Sequence, residues 1–367
     1  MKTYFANPKE GFVQNRKAIS KALSSVIDSG IYVLGKNVLS FENEFNDYLS
    51  KKGFFVSCAS GTDAITLALL ANNCTNGSKI IVPSHTAPAS IIGILNAGCV
   101  PIYIDINAND LLLEIKDIEK IVTKYNIKAI LAVHLYGNGI NIKTLKKTLK
   151  GKDIKIIEDC AQSTGTLIGD RHAGTLSNAG CFSFFPTKNL SALGDGGGIW
   201  VPTKQLKDKL LSLRQYGWDA NRNVKSHGGI NSRLDELQAA ILRIKLKKLN
   251  VEINKRRKIA KIYDLELNDT FKKTNGSDQQ KSSYHLYVVR TKQRKKLMND
   301  SMNILNLREK EILTARRLSE DVATLEDLSK KYKVSRERIR QIETKAFEKL
   351  QKAMLNAAKS NNLLPRN

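Results

Sequence analysis

The chain has no stretch approaching the roughly 18 uninterrupted apolar residues of a membrane-spanning helix. Its first residues, Met1-Lys2-Thr3-Tyr4-Phe5-Ala6-Asn7-Pro8, hold no apolar core of a secretory signal. No Cys-x-x-Cys pair occurs. The five cysteines (Cys58, Cys74, Cys99, Cys160, Cys181) are scattered and odd in number, which argues against a disulfide framework and for reduced thiols in a cytoplasmic protein. Internal repeats and low-complexity tracts are also missing. Glycine stops at Gly276, although the chain has 23, and Met1 apart there is no methionine before Met298. The composition therefore changes near residue 298, as at a domain boundary or a join between unrelated genes.

What is present is a globular composition: 367 residues, 41% hydrophobic and 26% charged, enough for two or three domains. The net charge of +25 invites a nucleic-acid reading. Most of it is spread along amphipathic segments, such as Lys204, Lys207 and Lys209 or Lys245, Lys247 and Lys248, where lysines coat solvated faces.

Before the compositional change, helices and strands alternate. The pattern predicts helices at 15–29, 40–51, 62–72, 86–97, 142–150, 204–215 and 232–262. It predicts strands at 54–58, 79–82, 101–104, 129–134, 154–158, 180–184 and 198–201. That order is α/β, with a mostly parallel sheet covered by helices on both faces. Such sheets bind ligands at the carboxyl ends of their strands. Asn275-Gly276-Ser277-Asp278-Gln279-Gln280 reads as a surface loop.

Lys188 lies in Phe184-Phe185-Pro186-Thr187-Lys188-Asn189-Leu190, just ahead of the glycine-dense run Gly194-Asp195-Gly196-Gly197-Gly198. Partial desolvation there disfavours the ammonium form and leaves a nucleophilic amine able to condense with an aldehyde. Upstream, Ile156-Ile157-Glu158-Asp159 reads as a buried strand ending in a carboxylate. A condensing lysine with a strand-end Asp is what pyridoxal phosphate requires, because the Asp keeps the pyridine nitrogen protonated. Ser60-Gly61-Thr62 joins a strand to a helix and suits a phosphate, though Ser60 or Thr62 is equally an ordinary helix cap. Ser183 can add a hydroxyl to that phosphate or bond backbone at the strand end. Gln162 can reach the cofactor or cap a helix. His85 can stack on the pyridine ring or serve as a loop histidine. Asn231 and Arg233 sit where a loop enters a long helix.

Together these segments, with Ser29-Gly30-Ile31-Tyr32-Val33-Leu34-Gly35 and Val82-Pro83-Ser84-His85-Thr86-Ala87, make residues 1–297 resemble the DegT/DnrJ/EryC1/StrS family of pyridoxal-phosphate sugar aminotransferases. The resemblance implies the type I (aspartate aminotransferase-like) fold. It implies Lys188 as the covalent anchor, Asp159 at the pyridine nitrogen and Gln162 at the ring. It places Ser183, Gly61 and Thr62 at the phosphate, and Asn231 at the phosphate of the neighbouring subunit in a homodimer. Ser84-His85-Thr86-Ala87 and Arg214-Gln215-Tyr216-Gly217-Trp218 are similar to the branch that aminates C3 of nucleotide-linked 3-keto-6-deoxyhexoses, with glutamate as amino donor.

After residue 298 the chain reads as helical and charged. Thr324 caps one short helix, Lys333-Val334 turns the chain, and Ser335 caps a second with Arg336, Glu337, Arg338, Arg340 and Gln341 at its start. This describes a helix-turn-helix or a small amphipathic bundle with a basic face. Residues 304–350 resemble region 4 of sigma-70-family factors, especially the heat-shock (RpoH-like) group. That resemblance implies promoter −35 DNA and RNA polymerase as partners, read by Arg336, Glu337, Arg340 and Gln341.

The expected domains are a cofactor-binding one at 1–240, a small aminotransferase domain at 241–298 cut partway through its sheet, and an all-α helix-turn-helix with tail at 304–367. The expected function is glutamate-dependent amination of a nucleotide-linked keto sugar, without a metal or a membrane. The rivals are a DNA-binding transcription protein with a non-catalytic sensor domain, and a non-functional join of two genes.

Overall fold

In the computed structural model, residues 7–116, 118–267, 271–274, 280–292, 299–319 and 321–360 are described. Residues 275–279 of the expected loop and the compositional change at Met298 fall outside that set. The chain divides into two compact units: Met1–Ala260 with Thr274–Val288, and Lys261–Lys273 with Val289–Asn367.

The first unit is built on seven strands: β1 (Phe54–Cys58), β2 (Lys79–Pro83), β3 (Val100–Ile104), β4 (Ile127–Val133), β5 (Lys155–Asp159), β8 (Ala179–Ser183) and β9 (Gly197–Val201). Their order is β1-β9-β8-β5-β4-β2-β3. Only β9 runs against its neighbours in this sheet. All other strand ends therefore point to one edge, where Cys58, Asp159 and Ser183 emerge. A small sheet pairs β6 (Leu167–Ile168) with β7 (Arg171–His172) and with β11 (Gln280–Lys281).

Alternation along the strands makes two cores. Val56, Cys58, Cys181, Ile199 and Val201 join one aliphatic cluster. Phe55, Phe182 and Trp200, their sequence neighbours, point into an aromatic one. The period of two thus sorts side chains between opposite faces. The aliphatic side is covered partly by α4 (Gly61–Ala71), which past its first turn is buried almost all round and mostly apolar. The aromatic side is covered by α3 (Lys36–Leu49) and α9 (Glu236–Leu246). Glu236 on α9 accepts the N–H groups of Asn37 (2.8 Å) and Val38 (2.7 Å), capping α3 with charge.

The remaining helices of this unit include α1 (Pro8–Val13), α2 (Arg16–Ser29), α5 (Pro88–Asn96), α6 (Ile118–Tyr125), α7 (Ile142–Thr148) and α8 (Lys204–Leu213). The long helix expected at 232–262 is two helices, α9 and α10 (Leu249–Glu266).

In the second unit, β10 (Lys272–Lys273) pairs with β12 (Val289–Arg290). The helices that follow include α11 (Leu307–Arg317), α12 (Leu325–Tyr332) and α13 (Arg336–Ser360). Both α11 and α12 start in reciprocal capping boxes, Asn306 with Glu309 and Thr324 with Asp327. Lys333 takes the left-handed conformation that ends α12 (φ 50°). Ile312, Leu328 and Ile339 bury against one another to hold the three helices together.

Candidate active site

The strand edge where β1, β5 and β8 end surrounds a cavity of about 240 Å³. Ser60, Gly61, Thr62, Asp159, Gln162, Ser183 and Lys188 all line it. Segments more than a hundred residues apart in the chain thus converge on one chamber. Its anion end is the start of α4, where unsatisfied backbone N–H groups collect. A Cβ on Gly61 would lie 2.6 Å from the Cβ of Ser183, so only glycine lets α4 begin this close to the end of β8. Ser60 also does the ordinary capping job: its Oγ accepts from Asp63 N–H at 3.1 Å.

Asp159 is almost fully buried. Ser90 Oγ donates to its Oδ2 at 2.8 Å, and Ala161 N–H donates to its Oδ1 at 3.0 Å. These two donors fix the orientation of the carboxylate within the chamber. Lys188 is half-buried, and burial lowers its pKa despite the opposing pull of Asp159. The fraction of neutral amine at neutral pH rises accordingly.

Gln162 Oε1 accepts the N–H of Tyr136 at 2.9 Å. Tyr136 holds a left-handed backbone (φ 63°), a strained conformation for a bulky residue, and it aims that N–H at the site. Its hydroxyl bonds His85 Nε2 at 2.7 Å. His85 thus stands just outside the residues lining the chamber. Asn231 is exposed and also outside it, with its backbone bridged to Gln215. Its neighbour Ser232 ties that loop to the phosphate end, donating to Asp63 Oδ2 (2.7 Å) and accepting from Ala59 N–H (3.0 Å).

Ser90, Tyr136, Ala161 and Asp195 were not singled out from the sequence. Ser90 is 69 residues from Asp159 and has no motif of its own.

Behind the site, His134, Glu158 and Cys160 offer ligand atoms within 4.8 Å of one another. The carboxylate is already saturated. Glu158 accepts from His134 Nε2 (2.9 Å), Gly174 N–H (2.9 Å), Leu176 N–H (2.9 Å) and Ser177 Oγ (2.8 Å). His134 Nδ1 accepts from Ile140 N–H at 2.9 Å, which fixes the proton on Nε2. Burial pushes Glu158 up, but His134, Gly174 and Ser177 outweigh it and leave the carboxyl below its usual value. The cluster is a hydrogen-bonded hub that locks β5 next to Asp159.

A family model for DegT/DnrJ/EryC1/StrS aminotransferases matches residues 13–340. The chain belongs to this family. The match continues past the compositional change near 298, through α12 and into α13. A dTDP-3-amino-3,6-dideoxy-alpha-D-galactopyranose transaminase of Aneurinibacillus thermoaerophilus is 39% identical over 280 residues, 76% of each chain. A dTDP-3-amino-3,4,6-trideoxy-alpha-D-glucose transaminase of Micromonospora megalomicea subsp. nigra is 34% identical over 303 residues, 81% of this chain and 80% of that one. Among solved structures, S. venezuelae DesV in complex with a ketimine intermediate superposes with a TM-score of 0.78 at 33% identity, covering 82% of this chain and 80% of that one. The fold of this family member is the type I pyridoxal-phosphate-transferase fold, with its mostly parallel central sheet.

The site fits the cofactor of such folds. A glycine cradle and helix start suit a phosphate, a buried carboxylate suits a pyridinium nitrogen, and a desolvated amine suits an aldehyde. All three share one chamber.

In the second unit, Arg336, Glu337, Arg338, Arg340 and Gln341 are exposed on the first turns of α13. Arg340 forks onto Glu337 (2.7 and 2.8 Å), Arg338 Nη1 donates to Gln341 Oε1 (3.2 Å), and Arg336 lies 3.6 Å from Glu326.

Proposed function

We propose that the chain is a pyridoxal-phosphate-dependent aminotransferase, dimeric, moving an amino group from glutamate to a nucleotide-linked 3-keto-6-deoxyhexose. The observation that carries this reading is the shared chamber of Lys188, Asp159 and the Ser60–Thr62 helix start. The transaminases of similar sequence, both named for 3-amino dTDP-sugars, support the substrate class.

When bound, the cofactor supplies an electron sink for bonds at the carbon undergoing amino transfer. Lys188 would anchor it covalently and, when free, would serve as the base that takes and returns the proton at the substrate carbon. Burial lowers its pKa and so increases the share of free amine available to act as a base. Asp159, fixed by Ser90 and Ala161, keeps a proton on the ring nitrogen. Gly61, Thr62 and Ser183 take the phosphate. Gln162, pinned by Tyr136, positions the ring. Asn231 serves the phosphate of a neighbouring subunit, and His85 orients the site through Tyr136.

Borohydride reduction of the holoenzyme followed by peptide mapping should place the pyridoxyl group on Lys188. Lys188→Ala should abolish transamination while phosphate binding persists, because the anion end is built from other residues. An adduct on another lysine rejects the assignment.

A second reading concerns α11–α13. Two capped helices, a left-handed turn residue between them and exposed arginines at the start of the second favour a sigma region 4-like helix-turn-helix that contacts −35 promoter DNA. We infer this role for Arg336, Glu337, Arg338, Arg340 and Gln341 as an addition to the enzymatic one.

A further inference from the structure

The positive charge of the first unit is unevenly placed. Residues 118–155 carry nine lysines, no arginine and two carboxylates. The flanking segments lean the other way. Residues 59–117 carry two Lys/Arg against five Asp/Glu, and residues 156–203 two against four. A uniform enrichment in lysine would have raised all three alike.

The fold gathers these lysines on one edge. α6 leads into β4 and α7 into β5, so both helices end at the edge where the strands begin. In the sheet, the steps from β3 to β4 and from β4 to β5 go the same way. Right-handed crossovers therefore put α6 and α7 on one face. A contact agrees: Lys152 Nζ, just past α7, donates to Thr123 Oγ1 of α6 at 3.3 Å. α6 buries Ile118 and Val122 and exposes Lys120 and Lys124. α7 buries Ile142 and Leu145 and exposes Lys143, Lys146 and Lys147. Lys128 and Lys155 stand at the starts of β4 and β5. Burial raises the Cys74 thiol to about 11 against the pull of Lys128, Lys155 and Lys209, so those three ammonium groups gather round one point.

Cations at a helix C-terminus offset its dipole, which accounts for Lys124, Lys146 and Lys147. It does not account for Lys150, Lys152 or the strand starts. The excess is not neutralised locally either. Glu119 lies 3.8 Å from Lys152, and Asp153 is shared by Lys155 (2.6 Å) and Lys128 (3.7 Å). Among the described residues, Lys143, Lys146, Lys147 and Lys150 are exposed and join no ion pair.

We propose that this edge docks the protein peripherally on an anionic lipid surface. The lysines select that partner. An ammonium is a point charge on a flexible stem, whereas the arginine fork reads phosphates and bases directionally. Helix N-termini, which also hold phosphates in nucleic-acid complexes, point here to the opposite edge. A field of lipid headgroups needs only point charges, and each lysine near it adds its own attraction. Tyr125 is exposed at the end of α6, with Lys124 Nζ 5.0 Å from its ring centroid. Its amphipathic ring suits the headgroup layer. The proposal departs from the sequence expectation of no membrane partner, because docking of this kind needs no spanning helix; none is present among the described residues. It stands independently of the transaminase reading. β5 carries Lys155 at one end and Asp159 at the other, about 13 Å away along the strand, so a docked edge leaves the cofactor chamber open.

The test is co-sedimentation of the full chain with vesicles of phosphatidylcholine, alone or mixed with phosphatidylglycerol, at low and physiological salt. Binding should require phosphatidylglycerol and weaken as salt rises. Lys124→Gln, Lys146→Gln, Lys147→Gln and Lys150→Gln together should weaken it by about fivefold per lysine, roughly several hundredfold in all. A control variant removes the same charge elsewhere in the unit: Lys17→Gln, Lys21→Gln, Lys51→Gln and Lys52→Gln. All eight side chains are exposed, so neither variant opens the core. The control should lose less than about tenfold, through long-range attraction alone. Equal sedimentation with the two vesicle types overturns the proposal. So does an equal loss in the control, which would make the binding a matter of net charge. A random DNA duplex that binds more tightly than the anionic vesicles, and loses that binding in the edge variant but not in the control, overturns it in favour of nucleic acid.

Discussion

At the residue scale, Asp159 separates binding from chemistry. Ser90 and Ala161 each give its carboxylate a hydrogen bond. In Asp159→Asn one of those two donors meets an amide NH₂ instead of an oxygen, and no negative charge faces the ring nitrogen. Turnover should fall by about 10²-fold or more, in line with the loss of a single charge-stabilising group in an active site. Cofactor affinity should change far less, because the phosphate is held at α4. Steady-state kinetics beside cofactor titration reads both. Near-normal turnover would make Asp159 a structural residue only. Lys188, Asp159 and the Ser60–Thr62 turn were legible because each announces itself within a few residues: a lysine in a glycine-rich turn, a carboxylate ending an apolar run, a small-residue strand-to-helix junction. Ser90 and Tyr136 were not. Their importance comes from what folding brings beside them, and a serine early in a helix or a tyrosine in a loop carries no local mark of that.

At the scale of elements, the seven strands of the large sheet lie within a residue or two of where apolar runs bounded by turn residues placed them. Helices were less legible. Pro8 and Gly11 disguise α1, and the break between α9 and α10 falls at Lys247-Lys248, with neither glycine nor proline to show it. The helix pair α12–α13 makes its own prediction. Residues 301–367 carry fifteen Lys/Arg against nine Asp/Glu, so any DNA affinity should be mostly electrostatic and fall steeply with salt. Arg340 is forked onto Glu337 and must leave it to reach a base edge. Substituting Arg340 or Gln341 by Ala should reduce the preference for a −35 sequence over a scrambled duplex by about 1–3 kcal/mol. Gel shifts of the full chain at two salt concentrations measure this. Equal binding to both duplexes at either salt would leave α11–α13 as a helical bundle without a promoter-reading role.

At the scale of the whole molecule, stability should depend on acid through two histidines. Burial, aided by Arg257, lowers His172 to about 4. Burial, with Lys188 and Arg256 nearby, lowers His285 to about 3. Both are neutral in the folded chain at pH values where the unfolded chain already protonates them. The stability they contribute is complete above about pH 6.5 and drains away as pH falls towards the folded values. The loss between pH 7 and 4.5 should be on the order of a few kcal/mol. Urea midpoints at the two pH values measure it, and replacing both histidines by Gln should flatten that part of the profile. If the double variant keeps the full acid sensitivity, the carboxylates are responsible instead.

The strand order also has a consequence in time. β1 ends at Cys58, and among the described residues its only partner in the sheet is β9, which starts at Gly197. A ribosome adding about 5–20 residues per second needs roughly seven to thirty seconds to make the intervening chain. Through that interval Phe54–Cys58 has no strand to pair with, while β2–β5 already have theirs. The nascent chain thus carries an apolar, unclosed segment until the sheet's one reversed strand emerges and joins it, so the strand that comes first in this sheet's chain order is among the last of its strands to be secured.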